Sequence, residues 1–319
     1  MILTTTVQTR FAEEVCAGLM KPGQKELPSK YLYDAVGSRL FDVITELPEY
    51  GLTRAEDRIL ERHTRDIAQR VPHAVAVAEL GSGSGIKTRR ILGALSREHH
   101  ARYFPIEISH TALAACEREM RDISAVSVVG IEREYLDGLL EVAARRRAGE
   151  LLLVLFLGST IGNFDPPAAL VFLKKIRSML EPGDFLLLGT DLLKPVPVLL
   201  DAYDDPLGVT AAFNLNLLAR INRELGGDFA LSQFEHVARF NESAHSIEMH
   251  LRSRQAQTVA IDAADIKVAF KAGETIWTES SHKYRRPEIS AMAVDSGFGC
   301  AAQWVDEEWG FAENLWTAG

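Results

Sequence analysis

The feature that most constrains the fold is an alternation of short apolar runs with helix-forming segments between about residues 75 and 193. Helical segments separate most of these runs, which read VAVAEL, ARYFPIEIS, AVSVVGI, LLLVLFLG and DFLLLGTDLL. Strands that alternate with helices, and that are apolar on both faces, are typical of a parallel sheet covered on both sides. We therefore predict an α/β fold with a doubly wound, mostly parallel, Rossmann-like sheet.

A change of pattern after about residue 195 predicts a second domain. AAFNLNLLARINRELGG is helical in pattern, whereas FEHVARFNESAHSIEMHLRSRQAQTVAI alternates with period two around a turn at NESAHS and predicts a hairpin. The segment from PEIS onward returns to helix, strand, turn and strand, which would complete the first sheet. We assign residues 61–194 and 285–319 to the α/β domain, and residues 1–60 and 195–284 to an α+β domain.

Composition excludes several classes of protein. The chain has 319 residues and a net charge of −9, and no basic block suits a nucleic-acid partner. It has no apolar run long enough for a membrane span and no recognisable leader, so we expect neither. Three isolated cysteines (Cys16, Cys116 and Cys300) and histidines without ligand spacing predict reduced thiols, a cytoplasmic location and no metal site.

The segment AELGSGSGIKT, residues 78–88, follows the first predicted strand. Glycines at positions 81, 83 and 85 allow a ligand to approach the backbone, and the next helix presents free N–H groups to it. Ile86 occupies the place of the third glycine in the dinucleotide fingerprint G-x-G-x-x-G. The segment matches instead the E-x-G-x-G-x-G motif of S-adenosylmethionine-dependent methyltransferases, in which Glu79 would lie near the methionine end of the cofactor.

Glu107 ends the second predicted strand, 24 residues after Gly83. A carboxylate at this place can accept hydrogen bonds from both ribose hydroxyls of an adenosine cofactor. The same arrangement would serve NAD, so a nicotinamide cofactor remains an alternative, as does a plain turn without a ligand.

The segment LFLGSTIGNF, residues 155–164, ends the fourth strand in small and polar residues. Gly158 and Ser159 can face the cofactor, and Asn163 can face the substrate, since an amide both donates and accepts hydrogen bonds. The alternative role for Asn163 is to cap the next helix, but Asp165 and Pro166 already suit that position.

A set of longer motifs occurs in a fixed order: YLYDAVGSRLFDVITELPEYGLTRAE, AELGSGSGIKT, LFLGSTIGNF, LLLGTDLLK, AYDDPLGVTAAFNLNLL, IEMHLRSR and TESSHKY. Together they strongly resemble the histidine-specific Nα-methyltransferases of ergothioneine biosynthesis, from about residue 26 to the C-terminus. The resemblance implies transfer of three methyl groups from S-adenosylmethionine to the α-amino group of L-histidine. The products would be the betaine hercynine and S-adenosylhomocysteine.

The resemblance also implies roles for individual residues. Asn163 and Tyr50 would act at the reacting amine. The amino acid would be bound by Tyr50, Asn163 and Tyr203 at its carboxylate and amine, and by Glu279 and Ser281 at its imidazole, with Met249 packing near that ring. Phe41, a further substrate residue, can face the growing ammonium group with its ring. The cofactor set would be Tyr33, Gly81, Ser82, Gly83, Lys87, Glu107, Gly158 and Ser159, with Glu134 and Tyr135 on the adenine side.

Each of these assignments has a structural alternative. Tyr50 could pack in a loop, Tyr203 could begin a helix, Met249 could belong to the core, and Lys87 could lie on the surface. Glu279 and Ser281 could be exposed. At the level of function, the alternatives are another amino acid such as tryptophan, a nicotinamide-dependent oxidoreductase, or a regulator that only binds the cofactor. We expect a monomer that acts on a small molecule.

The chain departs from the family pattern after Tyr50. The family often has a second tyrosine there, whereas this chain has Gly51. The loss of one ring predicts a larger amino-acid pocket or a different accommodation of the third methyl group.

Overall fold

The computed structural model describes residues 2–71, 75–97 and 100–319. The chain forms a smaller unit, Met1–Tyr50 with Lys194–Ser281, and a larger unit, Gly51–Leu193 with His282–Gly319. The helices of the described residues are α1 Ile2–Leu19, α2 Ala35–Glu46, α3 Leu52–Arg70, α4 Ile86–Leu95, α5 His110–Glu119, α6 Tyr135–Ala144, α7 Pro166–Ser178, α8 Val196–Tyr203, α9 Val209–Leu225 and α10 Arg286–Asp295. Their strands are β1 Lys25–Glu26, β2 Val75–Leu80, β3 Ala101–Ile106, β4 Val126–Val128, β5 Leu151–Phe156, β6 Phe185–Asp191, β7 Phe234–Asn241, β8 Ser246–Ser253, β9 Gln257–Ile261, β10 Ile266–Phe270, β11 Thr275–His282, β12 Phe298–Asp306 and β13 Phe311–Ala318.

The larger unit contains a sheet in the order β12-β13-β6-β5-β2-β3-β4. All neighbouring pairs are parallel except those of β13, which runs antiparallel to both β6 and β12. Every residue of β2 and β6 is buried, because helices cover both faces of the sheet. The predicted α/β fold is confirmed, and the order of the strands reverses between β2 and β5, where such sheets bind ligands.

The boundary expected between residues 60 and 61 falls inside α3, and the structure assigns the whole helix to the larger unit. The reason is the buried face of α3, which includes Ala55, Ile59, Leu60 and Ile67 and packs on α4, β12 and β13. The charged residues on the other face of α3 made the helix look unlike the strands that follow. The change of composition at residue 75 marks the first strand of the sheet and not the start of the unit.

The smaller unit contains a sheet in the order β1-β11-β8-β7 and a separate antiparallel pair, β9 and β10. Strands β7 and β8 form the predicted hairpin, whose last pair before the turn is Asn241 with Ser246. Helix α9 packs against α2 and β7, and it ends at Gly226, which adopts the left-handed conformation expected of a C-terminal glycine.

Two further expectations concern membrane-spanning helices and the oxidation state of the cysteines. Over the described ranges, none of the helices combines the length and the apolar character that crossing a membrane requires. The thiols of Cys16, Cys116 and Cys300 are free.

Asp165 caps helix α7, as its place before Pro166 predicts. Its side chain accepts a hydrogen bond of 2.7 Å from the backbone N–H of Ala168, and Pro166 stands at the first helical position. The cap is therefore supplied without Asn163, which ends a 3₁₀ turn over Thr160–Asn163.

We predict that Asp165→Ala lowers the free energy of unfolding by about 1 kcal/mol, because the N–H of Ala168 loses its partner. Urea unfolding followed by circular dichroism measures this difference. Asn163→Ala is the matched control and should leave the free energy of unfolding unchanged. A larger loss for Asn163→Ala than for Asp165→Ala would show that Asn163 has a structural role.

Candidate functional site

The glycine bend, which we define as residues 81–85 between β2 and α4, contains three left-handed glycines. Their φ angles are 78° at Gly81, 51° at Gly83 and 76° at Gly85. A Cβ atom at Gly85 would lie 2.6 Å from Sγ of Cys116, so this glycine is required for packing. At Gly83 no atom lies within 4 Å of the same position, so the outer side of the bend is open to a ligand.

Glu107 lies beside the open part of the bend. Its two oxygens accept hydrogen bonds from the backbone N–H groups of Gly83, at 3.2 Å, and of Ser109, at 2.9 Å. Burial raises the pKa of this carboxyl group above its ordinary value, although both hydrogen bonds oppose the rise. The carboxylate is thus fixed next to the bend, where a ligand's hydroxyl groups could donate to it.

Glu79 supports the bend from within the unit. Its carboxyl group is buried and accepts hydrogen bonds from Oγ1 of Thr88, at 2.6 Å, and from the hydroxyl of Tyr103. Burial raises its pKa to about 7 despite these two hydrogen bonds. The sequence motif predicts that Glu79 lies near the cofactor. In the structure its side chain joins β2, β3 and α4.

Lys87 stands in the first turn of α4 and is not a simple surface residue. Its ammonium group forms an ion pair with Glu56 of α3, whose side chain is fully buried. The other Glu56 oxygen accepts a hydrogen bond of 2.6 Å from the N–H of Gly158. Two expected cofactor residues therefore share one carboxylate.

The adenine-side pair lies at the start of α6. A Cβ atom on Gly81 would lie 3.2 Å from the hydroxyl of Tyr135, whose ring packs edge-on against Phe156. Burial raises the pKa of Tyr135 above its ordinary value, so the phenol stays neutral. Glu134 precedes it and is exposed.

The loop after β5 begins with two successive left-handed residues, Gly158 with φ of 68° and Ser159 with φ of 57°. The Ser159 hydroxyl accepts a hydrogen bond of 2.8 Å from the backbone N–H of Asp191, and this serine is buried. Ser82 in the glycine bend is buried as well. In the structure the Ser159 hydroxyl is therefore engaged within the unit, which leaves its backbone as the part suited to a ligand.

Asn163 differs from its neighbours because its amide group has no internal role. The residue is half-buried, and no described residue forms a hydrogen bond with its side chain. An amide with both a donor and an acceptor at hand is suited to binding a ligand's amine or carboxylate.

An aromatic cluster in the smaller unit joins four of the predicted residues. The ring centroids of Phe41 lie 5.5 Å from Tyr33 and 6.2 Å from Tyr50, and those of Tyr50 and Tyr203 are 6.1 Å apart. All three contacts are edge-to-face. The structure therefore places Tyr33, assigned to the cofactor by resemblance, next to residues assigned to the amino acid.

Strand β11 supplies the polar side of this cluster. Glu279 and Ser281 lie two residues apart on one face of the strand, and both are buried, so the exposure alternative is wrong. The Tyr203 hydroxyl donates a hydrogen bond of 2.7 Å to the Ser281 hydroxyl. Met249 is buried on the neighbouring strand β8, where its carbonyl accepts from Thr278.

His236 is a supporting residue that the sequence motifs did not reveal. The amide of Asn214 donates to its Nδ1 at 2.9 Å, so Nε2 carries the proton and donates to the Tyr203 carbonyl at 2.8 Å. Burial lowers the pKa of His236, which keeps the ring neutral. The available signal was Asn214, a polar residue on the buried face of α9.

The place of the missing second tyrosine is filled by Trp309. A Cβ atom at Gly51 would lie 2.2 Å from the indole ring, and the indole N–H donates to Asp191 at 3.1 Å. The expected open space beside Gly51 is therefore occupied by a ring from the turn between β12 and β13.

Among residues 2–71, 75–97 and 100–319, no group of His, Cys, Asp and Glu side chains is arranged to hold a metal ion. The site geometry instead consists of a left-handed glycine bend, an acidic residue at the end of the next strand and a glycine-serine loop beyond. These features, together with the family match given below, identify an S-adenosylmethionine-dependent methyltransferase. Open space at Gly83 and the fixed carboxylate of Glu107 fit that cofactor.

The family described as "Histidine-specific methyltransferase, SAM-dependent" matches residues 11–318, and the chain belongs to this family. The histidine N-alpha-methyltransferase of Mycobacterium tuberculosis is 43% identical over 304 residues, which cover 95% of this chain and 93% of the relative. The enzyme of that name from Mycolicibacterium smegmatis is 44% identical over 307 residues, with the same coverage of 95% and 93%. An L-tryptophan methyltransferase of Psilocybe serbica is 28% identical, covering 92% of this chain and 89% of the relative.

A pair of substitutions in the glycine bend separates ligand binding from packing. We predict that Gly85→Ala lowers the free energy of unfolding by about 2–4 kcal/mol, since left-handed strain adds to a clash with Cys116. Gly83→Ala should cost only about 1 kcal/mol of strain. It should nevertheless weaken the binding of S-adenosylhomocysteine, measured by calorimetry. Unchanged binding by Gly83→Ala would show that no ligand approaches the bend there.

The raised pKa of Glu79 predicts a dependence of stability on pH. Because the folded protein holds this proton up to about pH 7 and the unfolded chain only to 4.5, stability falls as pH rises through that window. The loss amounts to about 3 kcal/mol. Urea unfolding at about pH 5 and about pH 8 should show this difference in the native protein and a smaller one in Glu79→Gln. The exposed Glu242→Gln should behave like the native protein, and equal pH dependence in both variants would contradict the prediction.

Proposed function

We propose that this protein transfers three methyl groups from S-adenosylmethionine to the α-amino group of L-histidine, producing hercynine and S-adenosylhomocysteine. Membership of the family supports the reaction class. The observation that carries the choice of amino acid is the buried pair of Glu279 and Ser281 on one face of β11.

The cofactor supplies a methyl group on a positively charged sulfur. Glu107 is proposed to accept hydrogen bonds from the ribose hydroxyls, and Gly81 and Gly83 to let the cofactor approach the backbone. Lys87 and the backbone of Gly158 are proposed to hold the methionine portion. The further cofactor contacts that we propose are those of Ser82, Ser159, Glu134, Tyr135 and Tyr33.

The side chains of Glu279 and Ser281 complement a neutral imidazole. The ring has one N–H donor and one nitrogen acceptor, while the strand presents a carboxylate acceptor and a hydroxyl donor. An indole has only the N–H donor and would leave the serine hydroxyl without a partner on the ring. This difference favours histidine over tryptophan, with Met249 and Phe41 packing near the ring.

The reacting amine must be neutral before it attacks. A free α-amino group is mostly protonated at neutral pH, and a dry site next to a sulfonium cation favours the neutral form. Tyr50, Asn163 and Tyr203 are proposed to hold the amine and the carboxylate of the amino acid. Because none of these side chains is charged, water or a tyrosine hydroxyl could accept the departing proton.

Repeated methylation requires surroundings that accept a growing ammonium group. The edge-to-face rings of Phe41, Tyr50 and Tyr203 are neutral and can stabilise a cation by about 0.5–2 kcal/mol through their faces. They therefore orient the mono- and dimethyl intermediates without trapping them in an ion pair.

The family match bears differently on the competing functions. It identifies S-adenosylmethionine as the cofactor and so removes the nicotinamide-dependent oxidoreductase from the candidates. Another amino acid, tryptophan above all, remains the second candidate, since a relative of that name aligns along most of the chain. We further propose that the protein acts as a cytoplasmic monomer on a free amino acid, which chromatography with light scattering and cell fractionation would test.

A screen of the twenty amino acids with S-adenosylmethionine, read by mass spectrometry, should show three successive methyl additions for histidine. Glu279→Gln should raise KM for histidine about 10- to 100-fold, because the amide is a weaker acceptor than the carboxylate. Ser280→Ala, on the other face of β11, is the matched control and should keep the native KM. An unchanged KM in Glu279→Gln would remove its imidazole role, and methylation of tryptophan alone would establish the second candidate.

A further inference from the structure

Glu56 is a buried carboxylate that no ligand motif of the sequence identifies. Its side chain is fully buried in α3, pairs with the ammonium group of Lys87 and accepts from the N–H of Gly158 at 2.6 Å. It therefore joins three segments of the larger unit, namely α3, the first turn of α4 and the loop after β5.

A second acid, Glu313 of β13, is buried next to Glu56. A Cβ atom on Gly189 of β6 would lie 3.1 Å from one oxygen of Glu56 and 3.2 Å from one of Glu313, so the missing side chain makes room for both. No N–H or O–H group of the described residues donates to either oxygen of Glu313. A hydrogen bond between the two acids therefore needs a proton on one of them.

Glu313 is the favoured site of that proton. Burial and the neighbouring charge of Glu56 raise the pKa of Glu313 well above its ordinary value, which favours the protonated form of this acid. Glu56 has the Lys87 ammonium group as its ion-pair partner. A protonated Glu313 would place no second negative charge beside this buried ion pair, which is the arrangement that burial tolerates best.

We propose that Glu56 is a positioning residue for S-adenosylmethionine, which holds the Lys87 ammonium group and the Gly158 amide in the orientation that the cofactor needs. Glu313 lies beside Glu56 in the space that Gly189 leaves. The inference rests on the proposed cofactor roles of Lys87 and Gly158. It adds a contact from α3, a helix that lies outside the glycine bend and the loop after β5.

The test compares Glu56→Gln with Glu61→Gln, an exposed acid on the same helix, by calorimetry with S-adenosylhomocysteine and by steady-state kinetics. Glu56→Gln should weaken binding of S-adenosylhomocysteine about 10-fold or more, because Lys87 loses its charged partner, and should change KM for histidine less than about 3-fold. Glu61→Gln is the matched control and should stay within about 3-fold of the native protein in both quantities.

Two results would overturn the proposal: native cofactor affinity in Glu56→Gln, or equal losses for cofactor and histidine in a folded variant. If Glu56→Gln does not fold, Glu56→Asp is used to test the same role. It keeps the charge beside Lys87 but is too short to hold Gly158 as well, so binding of S-adenosylhomocysteine should fall about 3-fold or more. Unchanged binding would refute the role. The calorimetric measurement of S-adenosylhomocysteine binding requires no histidine. A native protein that binds S-adenosylhomocysteine but does not methylate histidine would therefore contradict the proposed function and not the role of Glu56.

Discussion

Burial of the central strands on both faces is the constraint on which the larger unit depends. Because β2 and β6 have no solvent-exposed residue, polar chemistry can begin only where these strands end. The chain leaves β2 at Gly81 and leaves β5 close to Gly158, both in the left-handed conformation, and Glu107 follows directly after β3. The same hydrophobic packing that stabilises the sheet thus determines where a charged cofactor can bind.

Much of this arrangement follows from local patterns. The alternation of apolar runs and helices predicts the sheet, and with it the place of Glu107 directly after the second of the predicted strands, where the structure has it in contact with Gly83. Asp165 before Pro166 predicts the helix cap. These features depend on residues close in sequence or on a standard connection between neighbouring strands, so a single chain reveals them.

Other features depend on contacts between distant segments and have no local signal. The unit boundary was misplaced because α3 looks charged in sequence, although one side of it is buried against β12 and β13. Glu56 reaches Gly158 across 102 positions of the chain, and Asn214 orients His236 from another element. Such partners become visible only when the fold brings them together.

At Gly51 and Trp309, a side chain from a distant segment fills the space beside a glycine. The indole lies where a side chain on residue 51 would stand, and it is tethered to Asp191. The side chains that can stand at these two positions therefore depend on each other. A tyrosine can be restored after Tyr50 only if the tryptophan is shortened in the same step, and either change alone would produce a collision or a void.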